Sequence, residues 1–207
     1  MADKKKTHIV NGYVHYVKVQ NPGSTFNDPN DKQYECTIEM DKKTMKEFKK
    51  VFPANAKGVK EHTKEEFIEK FKVEPQYDGG EDDEHFTVTV KQAVKVNGKP
   101  LKRPVRVLMK SEETGKLIDI TQEKEVGNGS KAAVQLFIYE NTKWNTVSAK
   151  LQAIRVDDLV EYQSGDSGYS ELGDVDESSF SDPNFDDDDE GFEQDPDFGD
   201  DDDVDYD

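Results

Sequence analysis

The chain carries a single cysteine, Cys36, so no intramolecular disulfide can hold it together and a reducing compartment is expected. No stretch approaches the roughly 18 apolar residues of a membrane span, and the opening from Met1 to Val10 lacks the apolar core of a signal peptide. A cytoplasmic protein with no membrane partner is therefore expected. The four histidines, at 8, 15, 62 and 85, show no spacing that would set two ligands on one helix face, and Cys36 has no second thiol beside it, so no metal site is read. Neither a GxxxxGK phosphate loop nor a GxSxG nucleophile turn occurs, and the carboxylates outside the C-terminal stretch are scattered. Nothing here points to an enzyme or to a cofactor. Asp186 to Gly191, with Asp197 at the twelfth position, resembles the start of a calcium-binding loop, but no amphipathic helix flanks it and the acids run on past it. It reads as a solvated acidic run.

Cations are missing from one whole segment. All 28 Lys and Arg fall within residues 1–160, against 25 Asp and Glu there, which leaves a slightly basic body. Residues 161–207 hold 21 acids and no cation, so the formal charge of −18 belongs to one terminal stretch and the chain is a charge dipole. From composition we expect one domain over 1–162 and a disordered acidic tail over 163–207, because Asp, Glu, Ser and Gly with isolated aromatics bury too little apolar area to offset chain entropy. The tail repeats one short block thirteen residues apart, Asp182-Pro-Asn-Phe185 and Asp195-Pro-Asp-Phe198.

Within the body the periodicities are mainly those of strands. Ile9 to Val19 is β-branched and aromatic and is expected to end at Asn21-Pro22-Gly23; Tyr34 to Met40 alternates as a strand with one wet face, Cys36 lying in register with Tyr34, Ile38 and Met40 on the buried side. Asp41 can cap a helix carrying Met45, Phe48 and Phe52 and closed by Pro53, and Thr63 to Glu66 reads as a capping box ahead of Phe67, Ile68 and Phe71. Further strands are expected at Phe86 to Val96 with a turn at Asn97-Gly98, at Val105 to Met109, and after a Thr114-Gly115 turn at Lys116 to Ile120. Ala132 to Glu140 and Trp144 to Val156 form a final long hairpin. Five or more strands with one or two helices inserted early predict a mainly β, OB-fold-like small barrel.

The chemistry left is that of a surface for a polyanion with stackable rings. Trp144 and Lys143 stand at the last hairpin, Phe137 and Tyr139 on the opposed strand, and Lys91, Lys95, Lys99, Lys102, Arg103 and Arg106 on neighbouring strands. Bases stack on aromatic faces for about 1 to 3 kcal/mol each while Lys and Arg neutralise the backbone without reading sequence. Phe137 and Tyr139 share one strand face, which is either core or platform, and Trp144 is either a barrel plug or a stacking ring. The tail either keeps the protein soluble or competes with DNA for the basic groove and offers Phe185, Phe192, Phe198 and Tyr206 to partner proteins; rings are not needed for solubility, which favours the second.

Gly127-Asn-Gly-Ser-Lys131, a strand, Lys143-Trp-Asn-Thr146, then Val147-Ser-Ala-Lys-Leu-Gln152 and the strand leading to Leu159-Val160, in this order and before an acidic tail, resemble the single-stranded DNA-binding proteins of tailed phages of the T-seven type. A weaker similarity covers Tyr34 to Asp41 and Phe86 to Leu117. The resemblance implies an OB-fold that binds single-stranded DNA with little sequence preference in phage replication, recombination and repair, needs no cofactor, and works in the cytoplasm of an infected bacterium. It also implies a tail that shields the groove, meets the phage DNA polymerase and helicase-primase, and is tied to formation of a homodimer. By position it carries an N-terminal lysine onto Lys4 and groove cations onto Lys32, Lys91 and Lys95. Thr142 stands where the family has an aromatic two residues before the tryptophan, which moves the expected stacking onto Tyr139 and Trp144, and Tyr206 stands in place of the family's terminal phenylalanine. The competing class is an acidic DNA mimic that inhibits a DNA-binding enzyme; a mimic has no reason to keep a basic body. A nuclease with carboxylates assembled only in the fold is the third alternative.

Overall fold

The computed structural model describes residues 7–25, 28, 30–141 and 145–162. Residue alternation sets its architecture. Strand β1 (Thr7–Ser24) is paired on both sides, antiparallel to β2 (Lys32–Met40) and to β9 (Ser130–Asn141), so one long ribbon forms the spine of the sheet. On one flank β2 pairs with β4 (His85–Ala93), and β4 with the short edge strand β3 (Val59–His62). On the other flank β9 pairs with β10 (Thr146–Asp158), which runs parallel to β7 (Arg106–Lys110), itself antiparallel to β8 (Leu117–Asp119). The sheet order is thus β3-β4-β2-β1-β9-β10-β7-β8, and β10 curls back to lie near β4. The fold is mainly β and OB-like, with β7 and β8 as a side flap and a separate hairpin of β5 (Lys95–Val96) and β6 (Lys99–Pro100).

The inward positions fill the barrel. Val10 and Val14 of β1, Cys36 and Ile38 of β2, Val88 and Val90 of β4, Leu136 of β9 and Ile154 of β10 are all buried and belong to one core. Burial pushes the Cys36 thiol pKa far up, which leaves a structural, unreactive thiol. Helix α1 (Lys42–Val51) starts as expected, the Asp41 carboxylate accepting from the Thr44 N–H at 2.6 Å, and it seats Met45 and Phe48, with Phe52 just beyond its end, in the core. Each such ring contributes about 1.5 to 3 kcal/mol of burial and the cap about 1 kcal/mol. Helix α2 (Lys64–Phe71) has the full Thr63–Glu66 capping box and buries Phe67 and Phe71. The hairpin of β5 and β6 turns at Asn97 (φ 52°) and Gly98 (φ 72°), the left-handed pair that the Asn-Gly dipeptide favours.

Two expectations are corrected and one strand is added. The Asn21-Pro22-Gly23 stretch does not end β1, which continues to Ser24; Pro22 lies between the Lys18 and Gly23 rungs, where the register shifts and no ladder donor is required of it. The polar face of β2 is not wet throughout: Thr37 is buried with its hydroxyl 2.9 Å from that of Thr89 on β4, and Glu39 is covered by residues 76–77 and by His15, on which α2 packs. There the buried Glu39 carboxylate meets His15 Nε2 at 3.1 Å and accepts from the backbone N–H groups of Gln76 (2.7 Å) and Tyr77 (3.1 Å), while the His15 ring lies 4.6 Å from that of Phe71. Strand β3 went unread, since Val59-Lys-Glu-His62 offers too few apolar residues to show a period. Gly12 lies where β1 and β2 approach closely: a Cβ there would stand 2.3 Å from the Glu39 carbonyl oxygen.

Candidate nucleic-acid interface

In β9 the inward residues Val134 and Leu136 leave Gln135, Phe137 and Tyr139 on the barrel exterior. Of the two readings left open for the rings, core is excluded: Phe137 is 43% exposed and Tyr139 45%. Register fixes their neighbours, Phe137 standing opposite Thr7 of β1 and Lys150 of β10, and Tyr139 opposite Ser148. The Lys150 ammonium lies 5.9 Å from the centre of the Tyr139 ring. Two half-exposed rings two residues apart on one strand, with a cation beside them, offer π-faces and a charge at one place.

The same exterior continues across β10 and β7. A bulge at Gln152 lets its amide oxygen accept from Gln135 Nε2 at 2.9 Å, and beyond it Ala153 pairs with Arg106 and Arg155 with Leu108. Arg155 donates to Asp157 through Nε (2.8 Å) and Nη2 (3.2 Å), and Arg106 lies 3.2 Å from Asp119. Both side chains remain about half exposed.

A second group of cations gathers near the turn from β1 to β2. Glu35 sits between Lys91 (2.7 Å) and Lys18 (3.5 Å). Burial alone would raise its pKa, but the two ammonium groups outweigh that and hold it below the ordinary carboxylate value. Lys32 donates to Ser24 Oγ at 2.8 Å, and Lys95, Lys99, Lys102 and Arg103 are exposed on the β5–β6 hairpin and the connection after it.

Along β1 the rings and the lysines near Glu35 stand at different rungs of the ladder. The Phe137 rung on β1 is Thr7 and the Glu35 rung is Lys18, so up to about 35 Å of strand lies between. Lys91 and Lys95 do not stand beside Phe137 in the ladder; Lys150 does, although its residue type alone does not mark it. Its signal was present, because a hairpin joining Asn141 to Thr146 sets Lys150 opposite Phe137 once the register is counted. Arg106 belongs to the exterior that the rings share. Trp144, Lys143, Lys4 and Thr142 lie outside the described residues, as do Phe185, Phe192, Phe198 and Tyr206 with the whole of 163–207.

A cavity of about 310 Å³ opens between the β1 bulge and residues 121–128, walled in part by Tyr16, Lys18, Gln20, Lys124 and Tyr162. Its two lysines are met by carboxylates, Lys124 by Glu161 at 2.5 Å and Lys18 by Glu35, and Glu125 adds a further acid, so it is poorly matched to a polyanion. Among the described residues no group of three or more His, Cys, Asp or Glu is placed to hold a metal ion, and no helix is long and apolar enough to cross a membrane.

No protein-family model matches the sequence, and no curated protein matches it. Solved structures do resemble this one. The single-stranded DNA-binding protein gp2.5 encoded by bacteriophage T7 matches over 84% of this chain and 96% of its own, with 18% identity and a TM-score of 0.44. The single-stranded DNA-binding protein from bacteriophage Enc34 matches over 83% of this chain and 92% of its own, with 15% identity and a TM-score of 0.42. The Enc34 protein in complex with single-stranded DNA matches over 76% and 89%, with 13% identity and a TM-score of 0.42. The chain is similar in structure to single-stranded DNA-binding proteins of two phages.

Proposed function

We propose that this protein binds single-stranded DNA without marked sequence preference on the exterior of β9 and β10. The observation that carries the reading is the pair Phe137 and Tyr139, held half-exposed on one strand face with Lys150 beside them. Two large rings side by side with a cation form a patch on which unpaired bases stack whatever their identity. Duplex DNA hides those faces, so the arrangement selects single strands. Lys150 neutralises phosphate beside the rings, Arg106 and Arg155 do so by exchanging Asp119 and Asp157 for phosphate, and Lys143 and Trp144 are assigned to DNA binding as well. The cations at the other end, Lys32, Lys91, Lys95 and Arg103, act as a longer-range electrostatic field for the strand, and Lys4 is assigned to phosphate binding as well.

The acidic segment 163–207 competes with DNA for these cations. Once displaced by DNA it presents Phe185, Phe192, Phe198 and Tyr206 to replication proteins, a phage DNA polymerase and helicase-primase among them, and it takes part in forming a homodimer. The body is the DNA-binding unit, and its work belongs to replication, recombination and repair of phage DNA in the bacterial cytoplasm.

The test is a titration of Trp144 fluorescence with oligo(dT), on the full chain and on residues 1–162, at several salt concentrations. Quenching with tighter binding by the shorter chain is expected, with a log–log salt slope of about −0.7 per phosphate neutralised. Failure of the shorter chain to bind at low salt would overturn the reading and leave the acidic segment, as a DNA mimic, to be the active part.

A further inference from the structure

One rung along from Phe137 the aromatic surface gives way to an aliphatic one. A recess of about 110 Å³ opens there, walled by Ile9 of β1, Ala133 of β9, Ala153 of β10, Leu108 of β7 and Leu117 of β8, with Gln135 and Arg155 at its edge. Ile9 is 55% exposed and Leu117 53%, so hydrocarbon faces water on the same barrel face as the rings. Gln135 is two residues from Phe137 on β9, and Ile9 is two residues from Thr7, the partner of Phe137. A strand with one base on Phe137 therefore brings a neighbouring base to this recess.

Its walls decide what fits. Ile9, Leu108, Leu117, Ala133 and Ala153 offer only C–H groups, which reward an apolar edge and leave a polar one unpaired. Among the four DNA bases, thymine alone carries a methyl group on its exposed edge. Gln135, although held by Gln152, keeps a carbonyl oxygen that can accept from the thymine N3–H, and Arg155 stands by for the adjoining phosphate. Arg155 lines the recess, Arg106 is the ladder partner of its Ala153, and Lys150 stands opposite Phe137 beside it; each arginine holds one carboxylate, Asp157 and Asp119, that a phosphate would replace, and this charge suits a polyanion better than an apolar protein partner.

We infer that the recess between Ile9, Leu108 and Leu117 is a thymine subsite, which gives the bound single strand a preference for dT at one position. The inference rests on the proposed single-strand binding, and the experiment separates the two.

The affinities of oligo(dT) and oligo(dU), DNA strands that differ only in the 5-methyl group, are compared on the full chain and on an Ile9→Ser, Leu117→Ser variant, both substitutions lying at half-exposed positions. Burial of one methyl corresponds to about fourfold, so the full chain is expected to bind oligo(dT) about fourfold more tightly, and the variant to bind both alike. Equal affinities on the unaltered chain overturn the subsite while single-strand binding stands. A fourfold ratio that persists in the variant also overturns it, because the methyl is then felt at the stacking rings. Binding to neither strand removes the single-strand reading itself.

Discussion

Tyr139→Ala and Phe137→Ala test the interface most directly, since structure and function predict different things for them. Each ring is a little under half exposed, and each faces only a small or flexible neighbour in the ladder, Ser148 for Tyr139, and Thr7 and Lys150 for Phe137. Truncation removes about half of a ring's burial, and for Tyr139 the contact with Lys150 at 5.9 Å, so each variant should cost about 1 kcal/mol of folding stability. DNA binding should suffer more. A base stacked on each ring is worth about 1 to 3 kcal/mol, a loss of about fivefold to more than a hundredfold in affinity per ring. Neither substitution changes charge, so the salt slope should hold while affinity falls. Lys150→Ala should do the opposite, weakening binding modestly and making the slope shallower by about 0.7. Fluorescence titration at three salt concentrations, with urea denaturation alongside, measures both quantities. Ring variants that bind oligo(dT) as tightly as the unaltered chain, or lose affinity only in proportion to their folded fraction, would refute the reasoning.

Removing the buried carboxylate in Glu39→Ala leaves His15 and the N–H groups of Gln76 and Tyr77 without their acceptor, and a loss of about 3 to 5 kcal/mol in urea denaturation is expected. His62 is held below its ordinary pKa, by burial first and then by Lys70. The folded state therefore resists a proton that the unfolded chain accepts. Its contribution is fully present above pH 6.5 and is lost as pH falls through the depressed value, so urea midpoints should drop from pH 7.5 to 5.5, and less so in His62→Gln. A midpoint of equal slope in the variant would assign the pH dependence to another group.

Much of this could be read in the chain because the local signals agree with the fold. Asp41, Thr63 with Glu66, and Asn97-Gly98 each satisfy their own backbone within a few residues, and the structure keeps all three. What escaped was set by partners distant in sequence. The alternation in β2 marks Glu39 as solvent-facing, and only the return of α2 and residues 76–77 buries it. Phe137 and Tyr139 look the same whether a face is covered or bare, and nothing in β9 itself tells which. The separation of rings from the lysines near Glu35 is a property of register along β1, and sequence proximity to β4 or β9 carries no register.

β1 is held between β2 and β9, strands that begin 8 and 106 residues after it ends. At about 5 to 20 residues per second of synthesis, its second edge waits on the order of 5 to 20 seconds before β9 leaves the ribosome. During that interval the nascent chain carries an open strand edge, the feature that pairs most readily with a neighbouring copy. Crowded translation on one messenger is where such pairing is most exposed, so slowing synthesis after residue 93 should lower soluble yield more than slowing it before residue 24.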